Sequence, residues 1–165
     1  YAPLADMAPP AHDPDTQRLE PLAPVQVGSI WEPRWQVVDL PAADVAAALA
    51  QAKAAKHAEI NAARWAANSG TFTHAGKTFA CDALSRGDID GTNGFVALYN
   101  TLPPGWPGGW KAVDNSYLPI ADVATWKAFY TSMFAAGAAN FAKAQALKSA
   151  VDAASTLAQV RGVSW

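Results

Sequence analysis

Eight of the twelve prolines fall in residues 1–41, and none falls between Ala42 and Leu102. Proline lacks a backbone N–H and biases the residue before it away from helix, so Pro9-Pro10, Asp13-Pro14, Glu20-Pro21, Ala23-Pro24 and Glu32-Pro33 exclude any continuous helix in the first quarter of the chain. Residues 1–41 therefore read as a proline-rich arm ahead of a globular domain at 42–165. Residues 1–23 are expected to be extended or ordered by a partner. The β-prone runs Pro24–Trp31 and Trp35–Leu40 predict a hairpin bent around Glu32-Pro33-Arg34, with tryptophan near the bend.

Past Pro41 the composition reverses. Ala42–Asn68 is alanine-rich without Gly or Pro, and Val45, Leu49, Ala52, Ile60 and Ala63 fall on one helical face. Asn68-Ser69-Gly70 ends that helix. Thr71–Asp82 predicts a tight hairpin turning at His74-Ala75-Gly76-Lys77, with Phe72 and Phe79 on a shared face. Residues 83–102 read as a shorter helical or mixed segment, in which Asp90-Gly91-Thr92-Asn93-Gly94 either breaks a helix or starts a new one. The Pro103–Gly109 loop leads into Trp110–Ile120, read as strand, Asp114-Asn115-Ser116 turn, strand. Asp122 is the expected N-cap of a long helix carrying Val123, Trp126, Tyr130, Met133, Gly137, Ala144, Leu147 and Val151 on its inner stripe, to about Ala154. Thr156 and Gln159 then match a capping box for a last short helical turn through Leu157 and Val160, with Val163 and Trp165 packing back. The expected fold class is α+β, a small antiparallel sheet of two hairpins packed with two main helices and a shorter helical segment.

Composition limits the core and the chemistry. Apolar types make up 51% of the chain, but 38 residues are alanine, so the seven tryptophans with the phenylalanines and leucines must carry most of the burial. A formal net charge of −2 with evenly spread charges offers no basic field for nucleic acid. The alanine-rich stretch is interrupted by Asp44, Lys53 and Lys56, so no membrane span is expected, and no secretory signal is visible in the first 30 residues. The single cysteine, Cys81, excludes an internal disulfide and the cysteine-rich zinc sites.

Candidate chemistry is sparse. Asp82, Asp88, Asp90 and Asn93 form the densest acidic cluster, but counting from Asp88 the sixth and twelfth positions hold Asn93 and Tyr99, where a calcium loop needs glycine and glutamate. Asx caps and turns are the expected reading, and no metal, cofactor or catalytic residue is assigned. Cys81 with His57 or His74 makes a poor thiolate pair, since the cysteine sits in an apolar strand. Trp106 and Trp110 flank Pro107-Gly108-Gly109 as an aromatic platform for a sugar or polyproline, or else fill space beside a thin core. Trp31, Trp35, Val37 and Leu40 are the candidate partner-binding residues of the arm. The two tryptophans either fold onto the helical domain or insert into a neighbouring chain.

Lys56, Ile60-Asn61-Ala62-Ala63-Arg64, Phe72, Phe79, Asp82, Ser85, Ile89-Asp90-Gly91, Trp110-Lys111-Ala112-Val113-Asp114-Asn115, Val160 and Trp165 together carry a family likeness. From residue 43 onward the sequence resembles a domain family of tailed-bacteriophage and prophage proteins, domain of unknown function 4376. The arm, with Asp13–Gln17, Gly28–Trp31 and Trp35–Leu40, looks like the amino-terminal stretch of small phage proteins encoded beside tail-fibre genes. The resemblance implies a location, and supplies no catalytic residue to carry over. The expected role is a non-enzymatic structural component of a tailed-phage virion, made in the host bacterial cytoplasm. It is expected to associate with the tail fibre or baseplate, dock through its arm onto other tail proteins, and form a homo-oligomer. A tail-fibre assembly chaperone is the alternative. A prophage sugar-binding or carbohydrate-active protein, using Asp82, Asp88, Asp90, Trp106 and Trp110, is a second.

Overall fold

A computed structural model describes residues 7–165, so the part of the expected arm at residues 1–6 lies outside the described residues. The chain runs β1 (Gln17–Val27), β2 (Ile30–Asp39), α1 (Ala42–Asn68), β3 (Thr71–His74), β4 (Lys77–Ala80), α2 (Ala83–Tyr99), β5 (Gly109–Lys111), β6 (Tyr117–Pro119), α3 (Val123–Ala153) and α4 (Leu157–Gly162). The fold is α+β, with its strands in three separate two-stranded antiparallel ladders. One backbone bond, from Val113 N–H to the Thr78 carbonyl at 2.9 Å, ties the β5–β6 hairpin to the β3–β4 ladder.

The helices begin and end where capping chemistry places them. Asp122 Oδ1 accepts from Thr125 N at 2.7 Å to open α3, and both halves of the Thr156/Gln159 capping box form at α4. Asp82 Oδ1 accepts from Leu84 N and Ser85 N at 3.0 Å and opens α2. That helix passes through Gly91 and Gly94 without interruption. Glycine costs about 1 kcal/mol at an interior helix position, and burial of Ile89 and Val96, two turns apart on one face, outweighs it. Asp88 and Asp90 are consequently helix-interior residues, where caps or turns were expected.

Burial divides into two clusters along α3. Trp126, Phe129 and Met133 pack with Phe72, Phe79, Ile89, Val96, Leu118 and Ile120. Farther along, Ala144 and Val151 pack with Ile60 of α1, sealed by Leu147, Val163 and Trp165. Between them α3 is small-residue chain (Ala135, Ala136, Gly137), and α1 meets it through Asn140 Nδ2 donating to Asn68 Oδ1 at 2.9 Å. The helices run antiparallel, since Asn68 faces Asn140 while His57 Nε2 meets Asp152 Oδ1 at 2.9 Å. Phe129, absent from the expected stripe, is fully buried, whereas Tyr130 is half-buried at its edge.

The paired phenylalanines behave as expected: Phe72 and Phe79 are directly opposite, with ring centroids 5.5 Å apart. Ala75 and Gly76 both have positive φ, the requirement of a type I′ hairpin turn.

Candidate functional site

The arm departs from its expected shape. Val27 pairs with Ile30, so the ribbon bends at Gly28-Ser29 and Glu32-Pro33-Arg34 lies within β2. Gly28 alone of the two turn residues has positive φ, the pattern of a type II′ turn, which matches strand twist better than a bend centred on proline. Pairing also extends back to Gln17, well before Pro24, so residues 17–23 are strand. Each strand of a two-stranded ladder has a free edge toward which proline can turn its missing N–H. The register slips between Leu22 and Val25, leaving Ala23-Pro24 as a bulge opposite Pro33.

Alternation along β2 places Trp31, Pro33, Trp35 and Val37 on one face, joined there by Leu19 and Pro21 from β1. The opposite face carries Leu22, Val25, Val27 and Ile30 beside Arg34 and Glu32. The structure thus brings three of the four expected arm residues together. Leu40 stands apart, past the strand end, its N–H bonded to the Thr16 carbonyl at 2.8 Å.

None of the arm's described side chains joins either buried cluster. Leu22, Val25, Val27, Ile30, Trp31 and Val37 are all exposed, and Trp35 is half-buried. A lone two-stranded hairpin is marginally stable in water. Here its root is fastened at one end only: Asp13 forms an Asx turn with Asp15 and Thr16, and Arg161 of α4 grips Asp15 with two bonds of 2.7 and 2.8 Å. The bond to Asp15, then its charge, hold the Arg161 guanidinium above its ordinary pKa. A small cleft of about 240 Å³ at this root is lined by Thr16, Val45, Leu49 and Leu157.

The other candidates resolve into packing. Trp106 and Trp110 stack at 6.0 Å and both lie against Trp126, at 5.4 and 5.6 Å. Trp106 Nε1 donates to the Ile120 carbonyl at 2.8 Å, so the N–H of that indole is taken up by the fold. Trp110 keeps an edge on an open cleft shared with Ser85, Asp88, Lys111 and Tyr117.

Of the acidic cluster, Asp82 is a cap, Asp88 and Asp90 project from α2, and Asn93 Oδ1 accepts from Trp126 Nε1 at 3.4 Å. Among the described residues no three His, Cys, Asp or Glu side chains converge on one point. Hydrogen bonds from Ser85, backbone first and hydroxyl second, hold the Asp82 carboxyl below its ordinary value. Thr125 does the same for Asp122. Cys81 is buried and accepts from Arg86 Nη2 at 3.2 Å, while His57 bonds Asp152 and His74 bonds Ser132, so neither histidine serves as its base. No helix among the described residues is long and apolar enough to cross a membrane.

Neither a curated protein nor a solved structure matches this chain. The family model described as Domain of unknown function (DUF4376) matches residues 51–161, from within α1 to within α4, so the ribbon lies outside the matched segment. That match spans more than half of the sequence, and the chain belongs to the DUF4376 family.

Proposed function

We propose that this chain is a non-enzymatic structural component of a tailed-phage virion, associated with the tail fibre or baseplate, and that the β1–β2 ribbon is its docking element. The observation that carries the docking role is the ribbon itself, 11 and 10 residues per strand, apolar on both faces and outside both hydrophobic clusters. Large apolar side chains held in water on a marginal element are a cost that a partner surface removes. Pro21, Pro24 and Pro33 interrupt both open edges, which disfavours addition of a further strand. Docking therefore uses the faces, with Trp31, Trp35 and Val37 as anchors. Aromatic side chains concentrate binding energy at such interfaces. The viral setting rests on the resemblance of the arm to proteins encoded beside tail-fibre genes, and the partners proposed are other tail proteins and further copies of this chain.

Mass spectrometry of purified particles tests the reading. A stoichiometric amount of the chain supports a virion component, and Trp31→Ala with Trp35→Ala should abolish its incorporation while leaving the protein folded. Complete particles that lack the chain would refute the structural role and favour an assembly chaperone.

A further inference from the structure

Two arginines line one open cleft of about 480 Å³ between the end of α1, the start of α2 and the middle of α3. Such a volume suits a small ligand or the side chains of a short segment. Among the described residues, every ion pair lies elsewhere, and neither Arg64 nor Arg86 is within 4.0 Å of a carboxylate. Among the described residues, Arg86 is tethered only weakly, by the Cys81 sulfur at 3.2 Å and by a long bond to the Asn68 carbonyl at 3.4 Å. Arg64 lies 4.7 Å over the Phe141 ring, and its Nε is sealed from water without a hydrogen-bond partner. Guanidinium groups that are always charged and forked in geometry are thus positioned without the oxyanion that suits them.

The walls add a second requirement. Phe134 is 67% exposed and Phe141 47%, and Trp65 at 73% lines the adjoining cleft that shares Asn68, Arg86 and Asp90. Apolar rings of this size in a cleft with two cations match a ligand with an apolar body and an anionic end. Asp90 sets the charge of that end. It faces the same cleft, close enough that its charge adds to burial in raising the Tyr130 phenol above its ordinary value. Arg64 and Arg86 against Asp90 leave the lining one positive charge in excess, which a single carboxylate neutralises while matching the planar fork and a dianionic phosphate overshoots.

We propose that the cleft bounded by Arg64, Arg86, Phe134 and Phe141 binds a carboxylate attached to an aromatic or other apolar group. The ligand is either a free small molecule or an acidic-aromatic segment of a partner protein.

Calorimetric titration of the full chain with two probes separates the sources: 3-phenylpropionate, and the blocked dipeptide acetyl-Phe-Asp-amide. One saturable site with Kd on the order of 1 mM is expected for a fragment of this size. Tighter binding of the dipeptide identifies a protein segment, and tighter binding of 3-phenylpropionate a small molecule. The neutral 3-phenylpropionamide should bind at least about tenfold more weakly, as should 3-phenylpropionate to Arg64→Met or Arg86→Met. Arg86 also touches Cys81 and Asn68, so Phe134→Ala, which alters only an exposed ring, provides a variant independent of the fold. It should weaken both probes. Absence of saturation by either probe below about 20 mM, equal binding of acid and amide, or unchanged binding in both arginine variants would overturn the proposal.

Discussion

Trp126→Ala tests the reading of the core most directly. The indole is fully buried, with Trp106 edge-on at 5.4 Å and Phe129 tilted at 5.6 Å. Burying about 200 Å² of aromatic side chain at about 25 cal/mol/Å² is worth ~5 kcal/mol as an upper figure. Alanine keeps little of that. Collapse of the neighbouring rings recovers a part, so the net loss falls near 4 kcal/mol, within the range of large-to-small aromatic changes. For a domain of this size that lowers Tm by roughly 8–16 °C. Urea unfolding followed by far-UV circular dichroism measures the loss. Because the core is divided, hydrogen exchange adds a second readout: amides of β3–β6 should lose more protection than those around Ile60 and Val151. A loss under about 1 kcal/mol would refute the reasoning, since no fully buried tryptophan in a packed cluster is removed so cheaply.

Deletion of residues 1–40 should leave a cooperatively melting protein, because both hydrophobic clusters survive it; a broad, non-cooperative melt would show that the ribbon root belongs to the core. Gly109→Ala should cost about 1–3 kcal/mol in thermal or urea unfolding, because a Cβ there would sit on the Leu118 carbonyl oxygen across the β5–β6 ladder. Stability should fall as pH drops below the ordinary Asp value of 3.8. The Asp82 and Asp122 caps have folded-state pKa values below that value, so their contribution is complete above it and is lost as pH falls through the depressed folded values. Replacing both by Asn should flatten the acid limb of a pH–Tm curve. Millimolar calcium should leave Tm unchanged, since Asp88 and Asp90 project from one helix without a third ligand; a rise abolished by Asp88→Asn and Asp90→Asn would reverse that view.

Local chemistry made much of this fold legible. The limits of α1 follow from an uninterrupted run between Pro41 and Gly70, and those of α3 and α4 from Asp122 and the Thr156/Gln159 pair. Local chemistry misleads where two of its rules compete. Gly91 and Gly94 argue against a helix, and only the distant partners of Ile89 and Val96 decide for one. Glu32-Pro33-Arg34 has turn composition, yet Gly28-Ser29 satisfies the twist of the strands and took the bend. In the arm, a bend at Pro33 would set Trp31 and Trp35 on different strands, and only the turn at Gly28-Ser29 lines them up with Val37 at alternate positions of one strand; the Asp15–Arg161 clamp, joining residues 146 apart, has no local signature.

The arginine cleft shows a different kind of illegibility. Arg64 and Arg86 belong to separate helices and line one cleft because the tight β3–β4 hairpin returns the chain from the end of α1 to the start of α2. Spacing within either helix carries no trace of that. The aromatic wall did leave a signal. Phe134 follows buried Met133 by one residue, about 100° around the helix, and Phe134, Ala138 and Phe141 recur at intervals of four and three. That is a second apolar stripe on α3, beside the one that packs the core. A helix apolar on two faces has one too many for a domain that covers only one of them. The surplus face is where an interaction surface should be sought, and it coincides with the unpaired arginines.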